Sequence, residues 1–138
     1  MSTLVDRLFQ LWTHPSDDRR VLEREIRSIY TDPVVLNGHR TPLSVLIDRA
    51  ETMAGAFSEQ STELLEVVHA EDHLAFAFVR RGRHTGVFES SLGPIEPSGR
   101  EFEFRGVDIF TVVEGKIAGG SAIFDEIGLL RLLGALPR

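Results

Sequence analysis

Residues 104–137 read FRGVDIFTVVEGKIAGGSAIFDEIGLLRLLGALP, and this stretch decides the fold. It holds a long extended segment, a tight turn at Glu114-Gly115, a return segment that ends at the carboxylate of Asp125, and an apolar tail of helical character. Side chains two apart share a strand face, so Phe102, Phe104, Phe110 and Val112 define an apolar side to which Asp108 also belongs. Asp125 follows Ala122, Ile123 and Phe124 directly. A carboxylate in apolar company costs free energy unless it is paired, neutralised or put to use. Both residues therefore call for a reason.

Working outward, Glu101–Val113 and Lys116–Phe124 read as a hairpin. A second hairpin precedes it, with strands at Thr62–His69 and Leu74–Arg83 about a turn at Ala70–Asp72, followed by an extended piece at His84–Phe88. Phe76 and Phe78 share strand parity with Leu74, Arg80 and His84. The segment 89–100, ESSLGPIEPSGR, concentrates Gly, Pro and Ser and reads as a loop. Gly119-Gly120 inside a strand reads as a bend or a close packing site. The first third is helical in period. Leu4, Val5, Leu8, Phe9, Leu11 and Trp12 form one helix that ends before Pro15, and Ser16 offers the N-cap of a second helix carrying Leu22, Ile26 and Ile29. The segment 32–38, DPVVLNG, is a short strand closed by an Asn-Gly turn, after which Thr41 and Pro42 suit the start of a third helix through Leu46, Ala50 and Met53. Helices first and antiparallel strands after imply an α+β domain over residues 1–138. The expected architecture is N-terminal helices packed on a strongly curved, mainly antiparallel sheet enclosing a pocket.

Composition narrows the functions. The 138 residues are 42% hydrophobic and carry a net charge of −6, with no cysteine. Disulfides and thiolate chemistry are excluded, and a metal site would need His and carboxylates alone. The net negative charge offers no footprint for a phosphate backbone, so neither nucleic acid nor an acidic membrane surface is an expected partner. No apolar run reaches the roughly 20 residues of a spanning helix, and the first residues lack a secretory pattern, so a cytoplasmic location is expected. His69 and His73 flank a turn without a ligand motif, and no metal is expected there. Nucleophile elbows, phosphate loops and zinc-peptidase helices are missing from the sequence.

Taken together, DPVVLNG, the segment 81–88, RGRHTGVF, the segment SGREFEFRGVDIFTVVEGKI and the ending DEIGLLRLLGALP resemble the SnoaL-like polyketide cyclase family. That family lies in the cone-shaped α+β superfamily that also holds ketosteroid isomerase and limonene-epoxide hydrolase. The resemblance implies an apolar pocket, chemistry by side chains with no cofactor, a small hydrophobic carbonyl-bearing substrate, and a homo-oligomer, dimer or tetramer, formed through the sheet. It also implies that Asp125 is the acid/base and that His84 lines the same pocket. Where family members commonly carry a Trp, this chain has Ser121, preceded by Gly119 and Gly120, which implies a pocket of altered shape.

Each candidate has a plainer reading. Asp125 can cap the last helix. Asp108, the secondary catalytic candidate, can be a buried carboxylate satisfied by backbone donors or by Arg80 or Arg105. His84 can be a hydrogen-bonded wall residue. Substrate contacts are expected from Trp12, Phe76, Phe78, Phe104, Arg105, Phe110 and Ser121. An epoxide-opening alternative would need Arg105, Asp108 and Asp125 in one cluster. Residues three apart on a regular strand face opposite ways, so that cluster requires a bulge beside Gly106. A third reading is a non-catalytic binding or dimerisation module.

Overall fold

A computed structural model describes residues 3–136; Met1, Ser2, Arg138 and Pro137, the last residue of the opening motif, lie outside the described residues. Helix α1 spans Leu4–Thr13 and starts with a capping box in which Thr3 Oγ1 accepts from Asp6 N at 3.0 Å and Asp6 Oδ2 accepts from Thr3 N at 3.1 Å. Helix α2 spans Arg19–Ile29. Its N-cap is Asp18, not Ser16: Asp18 Oδ1 accepts from Arg20 N at 2.9 Å, while Ser16 Oγ accepts from Asp18 N and shapes the approach. Helix α3 spans Leu43–Ala56 with Pro42 at the N-cap, which brings no capping oxygen. The carboxylate of Asp32 reaches over from the preceding strand instead and accepts from Leu43 N at 3.2 Å. Thr41, expected as that cap, sits in a strand and donates to His39 O.

The strands are β1 (Tyr30–Leu36), β2 (His39–Thr41), β3 (Phe57–His69), β4 (His73–His84), β5 (Phe88–Ser90), β6 (Gly93–Ile95), β7 (Glu101–Val113) and β8 (Lys116–Phe124), with helix α4 (Glu126–Leu132) last. Six of them form one sheet in the order β2-β1-β8-β7-β4-β3. All pairings in it are antiparallel except β1 with β8. The fold is thus α+β with a mainly antiparallel sheet, as the pattern of elements implied. Strands β5 and β6 pair with each other inside the segment read as a loop.

Of the two readings of the glycine pair, a bend or a close packing site, Gly120 meets the second. Its φ is +141°, and a Cβ there would lie 2.0 Å from Ile109 O. The register between β7 and β8 shifts next to it, between the pairs Thr111–Gly119 and Val112–Ile117.

Two apolar clusters flank the concave side of the sheet. One joins α1, α2 and α3 to Val34, Leu74, Phe76, Phe110 and Ile117. The other joins Phe57, Phe88, Phe102 and Phe104 to Leu129, Leu130 and Leu133 around α4. Phe78 packs against both. The space between them is the chamber described next. The convex side carries a ladder of exposed ion pairs: Arg81 with Glu63 and Glu103, and Arg83 with Glu59 and Glu101, at 2.9–3.0 Å.

Candidate functional site

Strand parity builds the chamber. On β7 the side chains of Phe104, Asp108 and Phe110 point inward, and the partner residues on β4 place Phe76 opposite Asp108 and Arg80 opposite Phe104. Between them, Gly106 leaves room for Phe78, whose ring tip lies 2.3 Å from where a Cβ would stand. The opposite wall comes from the helices: Leu8, Phe9 and Trp12 of α1 and Leu46, Arg49 and Met53 of α3. The result is a cavity of about 910 Å³ whose lining also includes Asp48, Glu89 and Glu126, which, like Arg49, are at least partly open to solvent. A second depression of about 400 Å³ lies near Arg27, Asp32, Glu114 and Lys116, but its arginine is already paired with Glu23 and Asp32.

Three of the polar side chains in this lining bear on its chemistry. Asp108 accepts no hydrogen bond among the described residues, and burial pushes its carboxyl up to about 7, with the charge of Arg80 partly offsetting that rise. Arg80 is only 8% exposed, and its Nε is buried without a partner. Burial lowers its guanidinium to about 10, against the opposing pull of Asp108. The ring of Phe104 lies under it, 5.9 Å from Cζ to centroid. Tyr30, at the junction of α2 and β1, is held well above the usual phenol range by burial, so its hydroxyl keeps its proton. Trp12 Nε1 donates to Tyr30 Oη at 2.9 Å. An indole N–H only donates, so the Tyr30 proton itself stays free to be given to something else. Asn37 also lines the chamber, but its amide is occupied by the backbone of Ala122 through both Nδ2 and Oδ1.

The residues expected from the sequence divide cleanly. Trp12, Phe76, Phe78, Phe104, Phe110 and Asp108 all line the chamber. Asp125 does not: its Oδ1 accepts from Gly128 N at 2.8 Å as the N-cap of α4, and the residue is exposed. The chain turns after Phe124, with Asp125 N donating to Arg105 O, and strand parity, which aims Ala122 and Phe124 inward, would itself have set Asp125 on the outer face with Ser121 and Ile123. His84 does not line the chamber either. It is fully buried in the second cluster, beside Phe57 at a centroid distance of 5.8 Å. Its Nδ1 accepts from Ser98 N at 3.1 Å and lies 2.9 Å from Ser98 Oγ, an arrangement that places the ring proton on Nε2, which is buried without a partner among the described residues.

Arg105 faces outward, opposite Val79, because the register of β4 with β7 runs without a break through Gly106. The cluster of Arg105, Asp108 and Asp125 needed for the epoxide-opening alternative is therefore not assembled. Ser121 pairs with Ile109 and is exposed on the convex face. The missing Trp accordingly changes the outside of the sheet and not the chamber.

Sequence reasoning passed over Tyr30 and treated Arg80 only as a partner for Asp108. Arg80 was findable, since it shares parity with Phe76 and Phe78. Nothing local marked Tyr30, which reaches the chamber through the parallel pairing of β1 with β8.

The comparisons with known proteins agree with this architecture. The family model for SnoaL-like polyketide cyclases matches residues 4–133. TsrD from Streptomyces laurentii is similar in structure, with 22% identity, a TM-score of 0.78, and coverage of 96% of this chain and 93% of that one. AclR from Streptomyces galilaeus gives 20% identity and a TM-score of 0.76 over 97% and 95%. A SnoaL-like polyketide cyclase from Agrobacterium tumefaciens gives 20% identity and a TM-score of 0.72 over 97% and 100%. No curated protein sequence matches the chain.

Proposed function

The chain belongs to the SnoaL-like polyketide cyclase family, and from that premise we propose that it is a cofactor-independent cyclase or isomerase in which Asp108, not Asp125, is the general acid/base. The observation that carries this reading is the placement of Asp108 in the apolar chamber with no hydrogen-bond partner and a carboxyl raised to about 7. A base poised there holds its proton weakly enough to give it back and strongly enough to take one from carbon.

The substrate class that suits the chamber is an apolar, carbonyl-bearing metabolite of polyketide type. In the proposed reaction the Asp108 carboxylate removes a proton alpha to a carbonyl, and the Tyr30 hydroxyl donates to the enolate oxygen as charge gathers on it. The enolate carbon then attacks a second carbonyl of the same chain, forming the carbon–carbon bond. The alkoxide produced takes the proton from Asp108, which restores the carboxylate. The phenyl walls hold the chain folded and exclude water.

A carbon acid unrelated to any natural substrate tests the base. In 5-nitrobenzisoxazole, removal of the C3 proton breaks the N–O bond and releases a coloured phenolate. The protein is expected to accelerate this ring opening, with kcat/KM rising with pH through about 7. Asp108→Asn is expected to lower it by roughly 10²–10⁴-fold, the usual contribution of general base catalysis. An Asp108→Asn variant as active as the parent would sink the assignment and leave a binding role for the chamber.

For assembly, we propose pairing of two copies through the convex sheet face. Val107, Ile109 and Ile123 are 52%, 50% and 69% exposed there, and Val107 lies opposite Ile123 across β7 and β8. Sedimentation should show a dimer or higher oligomer that Ile123→Glu converts to monomer. A monomeric parent protein would contradict it.

A further inference from the structure

We propose that Arg80 is a binding site for an anionic oxygen of the ligand, so that the molecule accepted by the chamber is an acid, an apolar body carrying a carboxylate. This rests on the reading of the chamber as a substrate site, though not on the role of Asp108.

The case starts from the other arginines of the same strand. Arg81 and Arg83 each hold two carboxylates on the convex face. Arg80, the residue just before Arg81 and turned inward, holds none. It is more than nine-tenths buried, makes no hydrogen bond among the described residues, and its Nε is fully enclosed. A guanidinium presents five N–H groups in a planar fork, and leaving them unmatched away from water is costly. Contact with the Phe104 ring offsets only part of that. Asp108 is the nearest countercharge and lowers the cost, yet the two form no ion pair. The fork therefore lines the chamber as a ready bidentate partner for a carboxylate.

Position tells what else the ligand must have. On the paired strands Arg80 stands opposite Phe104 and Asp108 opposite Phe76. Four residues along β4 separate those two levels, roughly 13 Å of backbone. Phe78 and Gly106 occupy the level between them. A ligand carboxylate on Arg80 consequently leaves the reacting carbon several bonds away, over the Phe78 ring and toward Asp108 and Tyr30. The solvent-reached charges of the lining, Asp48, Arg49, Glu89 and Glu126, are screened by water and do not substitute for the buried cation.

Decanoate and its uncharged amide, decanamide, separate the possibilities, because they share one apolar chain and differ in the head group. Trp12 is the only tryptophan and lines the chamber, so its fluorescence reports occupancy. At pH 8 decanoate is expected to bind at least tenfold more tightly than decanamide. Arg80→Met, which keeps much of the volume, should abolish that preference, while Arg80→Lys should keep part of it. Equal binding of the two probes to the parent protein overturns the anchor and leaves the chamber as a site for neutral ligands; this comparison needs no variant to fold. A preference that survives in Arg80→Met overturns it as well. Failure of both probes to perturb Trp12 overturns the chamber as a ligand site, and the anchor with it.

Discussion

Two regions of this molecule put polar side chains among aromatic rings, and they differ in how much of that polarity they tie up. Around α4 and the second apolar cluster, Ser98 engages Nδ1 of His84, whose Nε2 is buried without a partner among the described residues, and Asp125 is engaged by the backbone of Gly128. In the chamber, Asp108 and Arg80 make no hydrogen bond among the described residues, and Tyr30 accepts one while its own proton stays free. The first region ties up the carboxylate of Asp125 and one of the two ring nitrogens of His84 in fixing the chain. The second keeps a carboxylate and a guanidinium in reserve around an open chamber, at a stability cost that a ligand completing the contacts would offset. Chemistry is therefore to be sought where hydrogen-bonding capacity is left over, even when a better-known motif points elsewhere.

The largest test of this contrast sets the two carboxylates side by side. With 5-nitrobenzisoxazole, Asp108→Asn should lose roughly 10²–10⁴-fold in kcat/KM, as expected for a missing general base. Asp125→Asn should stay within about threefold of the parent, because asparagine caps a helix as well as aspartate does. Equal losses in the two variants would erase the distinction between the regions.

Stability against pH gives the next effect. The carboxyl of Asp108 is raised in the folded protein from its ordinary value near 3.8 to about 7. A group whose folded pKa is raised favours folding fully below its unfolded pKa, and that advantage is lost as pH climbs through the folded value. Between pH 4 and pH 8 the parent protein should thus lose stability on account of this one group. At about 1.4 kcal/mol per unit the loss is at most roughly 4 kcal/mol. Asp108→Asn removes the penalty, so in urea unfolding it should be the more stable protein at pH 8, with the gap closing toward pH 4. Arg80 loses its neighbouring charge in that variant, which trims the gain. A variant less stable than the parent at pH 8 would mean that Asp108 is a satisfied structural carboxylate after all.

Much of this was legible in the residues. Phe104, Asp108 and Phe110 alternate with outward residues, and Glu114-Gly115 marks the turn, so β7 and β8 follow the pattern from Glu101 to Phe124. The same parity placed Asp108 in the chamber. What escaped depended on where the chain turns or on partners far away in sequence. Period-two reasoning ends with the strand, and Asp125 lies one residue past β8, where the helix start claims its carboxylate. Helix caps were misread for a similar reason. Ser16 and Asp18 both suit an N-cap by type, and the cap of α3 comes from Asp32, eleven residues upstream. Tyr30 reaches the chamber only because β1 lies parallel to β8, a pairing no local pattern announces.

The smallest effect probes the satisfied region alone. In Asp125→Ala the Gly128 N–H loses its acceptor at 2.8 Å, and the first turn of α4 loses its cap. Loss of an N-cap side chain costs typically about 1 kcal/mol. Helix α4 carries Leu129 and Leu130, both buried against Phe102 and Phe104, so fraying of that turn loosens the far wall of the chamber without touching Asp108. A thermal midpoint lowered by a few degrees is therefore expected, with the rate on 5-nitrobenzisoxazole within about threefold of the parent and its rise through pH 7 unmoved. If Asp125→Ala instead shifted that pH profile, the carboxylate would be coupled to the proton transfer, and the cap would be part of the site and not merely its support.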